Sequence, residues 1–209
     1  MTDSGASRRE RKERTRQAIL DAALGIADEQ SLAALSLRQV TREVGIVPTA
    51  FYRHFASIDE LGLALVDQSF ASLREMLRDV RRSSSELTGV IKGSVDVLVQ
   101  HVHERREHFR FVARERVSGP PAVRQAIRHE LELVERELAT DLARLPHADR
   151  WSSDDLRIMA NLIVTLMVST AEAIVAAPPE RPDVEREVVR TAVAQLRMVV
   201  VGALQWESR

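Results

Sequence analysis

Apolar residues return every three or four positions along most of this 209-residue chain, a spacing that predicts helices throughout. Ile19, Ala22, Ala23 and Ile26 predict a first helix ending near Glu29, with residues up to about 8 disordered. Leu37, Val40 and Val44 mark a short second helix. Ser36 is placed to cap it, and Gln39, three positions on, can complete a capping box. Gly45 permits the left-handed residue that ends a helix and turns the chain, and Pro48 suits the first turn of a third helix. Ile46 is expected inside the corner. Ala50 leaves room for close approach, and Phe51 and Phe55, spaced i, i+4, should face the core. Ser57 and Glu60 form a second capping box. It opens a long fourth helix on Leu63, Val66, Phe70, Leu73, Leu77 and Val80, with Arg81 to Ser85 as its end and a loop.

The rest of the chain also reads as helices. Ile91, Val95, Leu98 and Val102 give a fifth stripe, and a short sixth helix runs from about Phe109 to Val117 before Gly119, Pro120 and Pro121 break it. Val123, Ile127, Leu131, Val134, Leu138 and Leu142 mark a seventh, ending near Pro146. The eighth spans about Ser153 to Ala177, where Pro178 and Pro179 stop it, and the ninth about Asp183 to Glu207. With no strand pattern and no internal repeat, the expected fold is all-α with about nine helices. The last two helices are apolar around much of their girth. Met159, Leu162, Ile163, Leu166 and Met167 on one, and Val189, Val193, Leu196, Val200, Ala203 and Leu204 on the other, could form a four-helix bundle with a second copy, and Gly202 would allow close approach. The same residues could instead bury within their own subunit. The run Ile158 to Ala177 is interrupted by Asn161 and Glu172, so it is expected as an interface helix and not a membrane span.

Composition narrows the classes. An apolar share of 44% with 29% charge suits a packed core under a solvated surface. The absence of cysteine excludes disulfides, thiolate metal sites and a cysteine nucleophile. The polar first residues predict no secretory leader. A net charge of −1 does not advertise nucleic-acid binding, but its distribution does: Arg8 to Arg16 holds six basic and two acidic residues. Such a run beside a helical hairpin can follow a phosphate backbone, or can be a solvated, frayed terminus. His101, His103, His108 and Glu104 raise the possibility of a metal. Two histidines at i, i+2 point to different sides of a helix, however, so surface histidines and no metal are expected. Neither a glycine-rich phosphate loop nor a nucleophile elbow is present. No catalytic residues and no cofactor are therefore expected. A helical enzyme or metal protein, and a helical adaptor, stand as rival classes.

The hairpin carries the chemistry. With Phe51 and Phe55 inward, Thr49, Tyr52, Arg53 and His54 fall mainly on the outer side. Arginine can bond guanine through two donors, and threonine can meet a base edge or the thymine methyl. Tyrosine and histidine more often hold phosphates, as can Arg38 and Arg42. The expected DNA-facing set is Ser36, Arg38, Arg42, Val47, Pro48, Thr49, Ala50, Tyr52, Arg53 and His54, joined by Arg11, Lys12 and Arg14 of the basic run.

From about Thr15 to Val66 the chain resembles the DNA-binding domain of the TetR family of bacterial repressors. The resemblance is carried by Ile19-Leu-Asp-Ala-Ala23, Leu37-Arg-Gln-Val40, Val44-Gly45, Phe51-Tyr-Arg-His-Phe55 and Asp59-Glu-Leu61. Gly45 to Phe55 and Asp59 to Leu63 look especially like the FabR/DesT subgroup, which regulates unsaturated fatty acid synthesis; Phe109 to Arg116 is a shorter match to the same proteins. The resemblance implies a three-helix DNA-binding domain at 9–56, with its motif at 36–55, and a helical ligand-binding and dimerisation domain at 57–209. It further implies a cytoplasmic homodimer on a palindromic operator, acting as a repressor. Its ligand would be a long-chain acyl-CoA or related acyl group, or alternatively a drug-like molecule if efflux or catabolic genes are the targets. For an acyl chain the expected wall is Val95, Leu98, Val99, Val102, Phe109, Val112, Leu131 and Leu166, with Arg110, Arg114 or Arg116 drawing the phosphates.

Overall fold

The computed structural model describes residues 7–82, 87–145, 148–206 and 208, with side chains except at 72, 75–82 and 87–92. Nine α-helices are found among the described residues: α1 (Arg8–Glu29), α2 (Leu37–Val44), α3 (Pro48–Phe51), α4 (Ile58–Arg82), α5 (Leu87–Glu104), α6 (Arg106–Ser118), α7 (Pro121–Leu142), α8 (Ser153–Ala176) and α9 (Pro182–Leu204). Short 3-10 turns lie at Leu32–Ala34 and Ala148–Arg150, and no described residue is in a strand.

The all-helical expectation holds, with four adjustments. Helix α1 already begins at Arg8, capped by Ser7: Glu10 N–H donates to Ser7 Oγ and Ser7 N–H to Glu10 Oε2, a capping box that opens the helix. The buried face of α1 is Ile19, Leu20, Ala23, Leu24 and Ala27, while Ala22 and Ile26 lie at its half-buried flank, because the face winds one residue further round than the apolar spacing suggests. Helix α6 begins at Arg106, one turn before Phe109, and Arg106 reaches the carbonyl of Val175 at 2.7 Å. Helix α7 ends at Leu142. Residues 1–6, residues 83–85 where a loop is expected, Pro146, Glu207 and the side chains of Leu77, Val80 and Ile91 lie outside the described set.

The chain forms two compact units, 1–69 with 110–127 and 70–109 with 128–209. In the first, α1 packs on α2 and α2 on α3 around Ile19, Leu20, Val40, Phe51, Phe55 and Leu61. The segment 110–127 is part of this unit. Arg110 pairs with Asp28, Arg114 donates to the Ala27 carbonyl at 2.9 Å, and the wholly enclosed carboxylate of Glu115 accepts the Leu32 N–H at 2.9 Å. Gly62 sits so close to Leu32 and Val123 that a Cβ there would fall 2.3 Å from Leu32 Cδ2.

In the second unit α5, α8 and α9 pack on one another. One core joins Leu98, Val102, Ala171, Ile174 and Val175; another joins Val95, Ala192 and Leu196. Helix α8 is long and apolar enough to cross a membrane, with mean hydropathy 1.9 over its most apolar window. Here it packs against α5 and α9, and its Asn161 donates to Glu135. Its start is also a capping box, Ser152 with Asp155, and Trp151 and Arg150 donate to the last carbonyls of α9, those of Ala203 and Leu204.

Candidate nucleic-acid interface

Local chemistry fixes the α2–α3 corner. Gln39 N–H donates to Ser36 Oγ at 3.3 Å and Ser36 N–H to Gln39 Oε1 at 2.9 Å, so two otherwise orphan donors are satisfied. Gly45 takes φ 72° and ψ 32°, the left-handed conformation that a side chain would strain. Its N–H bonds back to the Arg42 carbonyl, and the Ile46 N–H to that of Thr41. Pro48 then begins α3 without a lost donor. Phe51 and Phe55 are sealed inside, their rings 5.8 Å apart, and the Tyr52 ring meets Phe51 edge-on.

This inward anchoring turns a continuous surface outward. Val47 is 62% exposed and Tyr52 59%; Pro48, Thr49 and Arg53 are exposed, and Ala50 is half-buried at their centre. Ser36, Arg38 and Arg42 of α2, and Arg11, Lys12 and Arg14 of α1, are exposed as well. The exposed valine, tyrosine and arginines offer apolar, hydrogen-bonding and cationic contact. A DNA groove can use these, for thymine methyls and for phosphates.

His54 differs from its neighbours. It is half-buried, with Nδ1 shut off from solvent and without a partner among the described residues. Burial, then the nearby Lys12, Arg16 and Arg53 cations, hold its pKa below the ordinary histidine value against a smaller opposing pull from Glu13, so the ring is neutral at neutral pH. Arg16, part of the basic run by sequence, is also turned inward: it donates to the His54 carbonyl at 3.2 Å and lies 4.3 Å over the Phe55 ring. Sequence reasoning missed that role because Phe55 and Arg16 are 39 positions apart.

The residues expected around a ligand fall into several settings. Val95, Leu98 and Val102 are closed within the two cores of the second unit. Val99 is packed against both cores, Phe109 against the first and Leu166 against the second. Leu131 is half-buried on α7. In the first unit, Arg110 and Arg114 are tied to Asp28 and the Ala27 carbonyl, and Val112 and Arg116 are half-buried. A hollow of about 220 Å³ in the second unit is lined by different residues, among them Arg74, Glu130, Leu133, Val134 and Thr140, with Arg74 and Glu130 paired across it at 2.6 Å. His103 meets Glu185 at 3.1 Å, and no three potential metal ligands converge among the described residues.

The expected pairing face on α8 and α9 divides in two. Met159 and Leu196 are buried, and Ile163, Leu166, Met167, Val189, Val193 and Val200 pack against the Val95–Ala192–Leu196 core of the same chain. Ala203 is half-buried, and only Leu162 and Leu204 of the expected set are exposed. The open apolar positions also include Ile158 at 60% and Met198 at 73% exposure, with Val201 and Trp206. Their spacing, 158 and 162 at i, i+4 and 198 and 201 at i, i+3, marks a second stripe but does not say which stripe meets the chain's own core.

Comparison with known proteins gives two family matches. Residues 19–65 match the bacterial regulatory proteins of the tetR family, and residues 87–200 match the tetracyclin repressor-like C-terminal domain. A TetR-family transcriptional regulator of Streptomyces coelicolor superposes with TM-score 0.66 at 21% identity, over 90% of this chain and 96% of that one. The fatty acid degradation regulator FadR of Bacillus halodurans superposes with TM-score 0.68 at 11% identity, over 88% and 94%. A protein of Pseudomonas aeruginosa PAO1 described as a transcriptional regulator gives 0.70 at 15%, over 91% and 92%. At these identities the likeness is one of fold.

Proposed function

The chain belongs to the tetR family of bacterial regulatory proteins, and on that premise we propose a dimeric, sequence-specific DNA-binding repressor of the bacterial cytoplasm that responds to an apolar ligand. The observation that carries the reading is the outward surface Val47–Arg53, held by two inward phenylalanines and flanked by exposed cations of α1 and α2. In this reading Thr49, Ala50 and Arg53 meet base edges. Tyr52, Ser36, Arg38, Arg42, Arg11, Lys12 and Arg14 meet the backbone, and His54 supports them from behind.

Two copies would join through the exposed stripes of α8 and α9, which places two recognition surfaces on one two-fold axis and makes the operator a palindrome. The 57–209 segment would take the ligand. An acyl chain, as its CoA thioester, is supported by the FabR/DesT-like stretches of the sequence. The fold shared with a regulator of fatty acid degradation adds to that support. For such a ligand to act, it must bind the DNA-competent and DNA-incompetent conformations unequally.

The test is a titration of the full chain on duplexes drawn from the DNA beside its own gene, across a range of salt. Specific binding with a steep salt dependence is expected, since each neutralised phosphate adds roughly −0.9 to the log–log slope. No binding to any duplex, with or without effectors, rejects the regulator. Binding that saturating long-chain acyl-CoA leaves unchanged rejects that ligand alone, and a shift with a drug-like apolar cation would install the efflux reading in its place.

A further inference from the structure

Helix α3 has only four residues, so few of its own hydrogen bonds hold it. The chain continues through Tyr52–Phe55 as turns, closed by Arg53 N–H to the Ala50 carbonyl, His54 N–H to that of Phe51 and Phe55 N–H to that of Phe51. Tyr52 and Arg53, the two exposed residues with most to offer a duplex, ride on this segment. At its beginning it is fixed by the buried Phe51 ring. At its end the buried Phe55 ring is joined by one side chain from α1: the Arg16 guanidinium donates to the His54 carbonyl at 3.2 Å and stacks 4.3 Å over the Phe55 ring. A cation at a carbonyl-rich helical end is favourable, and the stacked face adds to it.

We propose that Arg16 is a positioning residue of the DNA-binding surface: it locks the Tyr52–Phe55 turn and so orients Tyr52 and Arg53, without itself contacting phosphate. The proposal rests on the regulator reading above. It separates Arg16 from Arg11, Lys12 and Arg14, which are exposed on the same helix. It also assigns the role to the guanidinium specifically. A lysine keeps the charge but has neither the planar face to lie on Phe55 nor a fixed fork for the carbonyl.

The experiment compares the intact wild type, Arg16→Lys and Arg14→Gln on the operator duplex and on the same duplex with its half-site bases changed, over a range of salt. Arg16→Lys should lose operator affinity by about ten-fold, the scale of one charged hydrogen bond. It should lose discrimination between the duplexes in parallel and keep the wild-type salt slope. Arg14→Gln should weaken both duplexes alike and reduce the slope magnitude by about 0.9. Tyr52 is the only tyrosine, so its ring NMR signals report on this turn alone, while Trp151 and Trp206 report on the other unit. The tyrosine signals should move in Arg16→Lys and the tryptophan signals should not. Wild-type discrimination in Arg16→Lys overturns the proposal, as does a slope reduced like that of Arg14→Gln. Loss of the tryptophan signals along with the tyrosine ones overturns a local role. Failure of the wild type to bind any duplex is a separate result: it removes the regulator reading and takes this proposal with it.

Discussion

Glu115 offers the sharpest test of how 110–127 is held to the DNA-binding helices. Its side chain is 0% exposed. Oε1 accepts the buried Leu32 N–H at 2.9 Å, and the Ser31 hydroxyl lies 3.4 Å from Oε2. Truncation by Glu115→Ala strands the Leu32 N–H without an acceptor, at a cost of about 1–3 kcal/mol. Glu115→Gln keeps an acceptor for Leu32 and can offer its amide to Ser31 Oγ. The two variants therefore separate hydrogen bonding from charge. Burial raises the Glu115 pKa against the pull of the Leu32 and Ser31 hydrogen bonds and the nearby Arg114 cation. The sign of the pH effect follows. With its folded pKa above the unfolded value, the native state holds the proton more tightly, so the contribution is fullest below the ordinary glutamate value and declines as pH rises through the window up to the raised folded pKa. Glutamine has no such decline. Urea unfolding of the full chain, followed from below the ordinary glutamate value to neutrality, should show Glu115→Gln gaining on wild type across that window and then levelling off. Glu115→Ala should be the least stable of the three at the acid end. A Gln-minus-wild-type difference that stays flat with pH, or an alanine variant as stable as the glutamine one, would refute the reasoning.

Three further outcomes are expected. Arg53→Ala should cost about 1–3 kcal/mol of operator binding and relax preference at one base position, while Tyr52→Phe should weaken all duplexes alike; a Tyr52→Ala/Arg53→Ala double variant that binds as wild type rejects the face. Leu162→Glu with Met198→Glu should give monomers in sedimentation velocity and lower operator affinity by about a hundredfold or more, since the two half-sites are then no longer engaged together; a persistent dimer would move the pairing surface elsewhere. Gly45→Ala should lower stability by about 1–2 kcal/mol in thermal or urea unfolding, the cost of a Cβ in the left-handed region, because the φ of 72° is strained for alanine even though a Cβ there meets no atom within 4 Å.

What was legible in the sequence was what short-range chemistry decides. The capping box at Ser36–Gln39 forms, Gly45 turns left-handed, and Phe51 and Phe55 both go inside; at α4 the Glu60 N–H donates to Ser57 Oγ, but the Glu60 carboxylate accepts from the Ala56 N–H, one residue before the expected cap. Each of these depends on residues within about a turn of each other. The division of the α8 and α9 apolar residues was not legible. A helix that is apolar around most of its girth gives no phase to say which stripe meets its own core, and only the packing against α5 assigns Ile163 and Val193 inward and Ile158 and Met198 outward.

The segment Phe109 to Arg116 shows why a motif's chemistry does not by itself name its partner. Three arginines and a glutamate among apolar residues suit a bound anion as well as they suit a helix docked on its neighbours. Here the neighbours take the polar groups: Asp28 takes Arg110, the Ala27 carbonyl takes Arg114, and the Leu32 N–H takes Glu115. All three partners lie at the end of α1 or just beyond it, more than 80 positions away, where no periodicity could point. Gly119 completes the arrangement, since a Cβ there would stand 2.5 Å from the Glu115 carbonyl and 2.7 Å from Oε2. The end of α1 and the turn that follows it are thus held by polar contacts from α6. Loss of the Glu115 bond should loosen this arrangement more than loss of the part-buried Arg110–Asp28 pair, because a buried N–H finds no water to replace its acceptor.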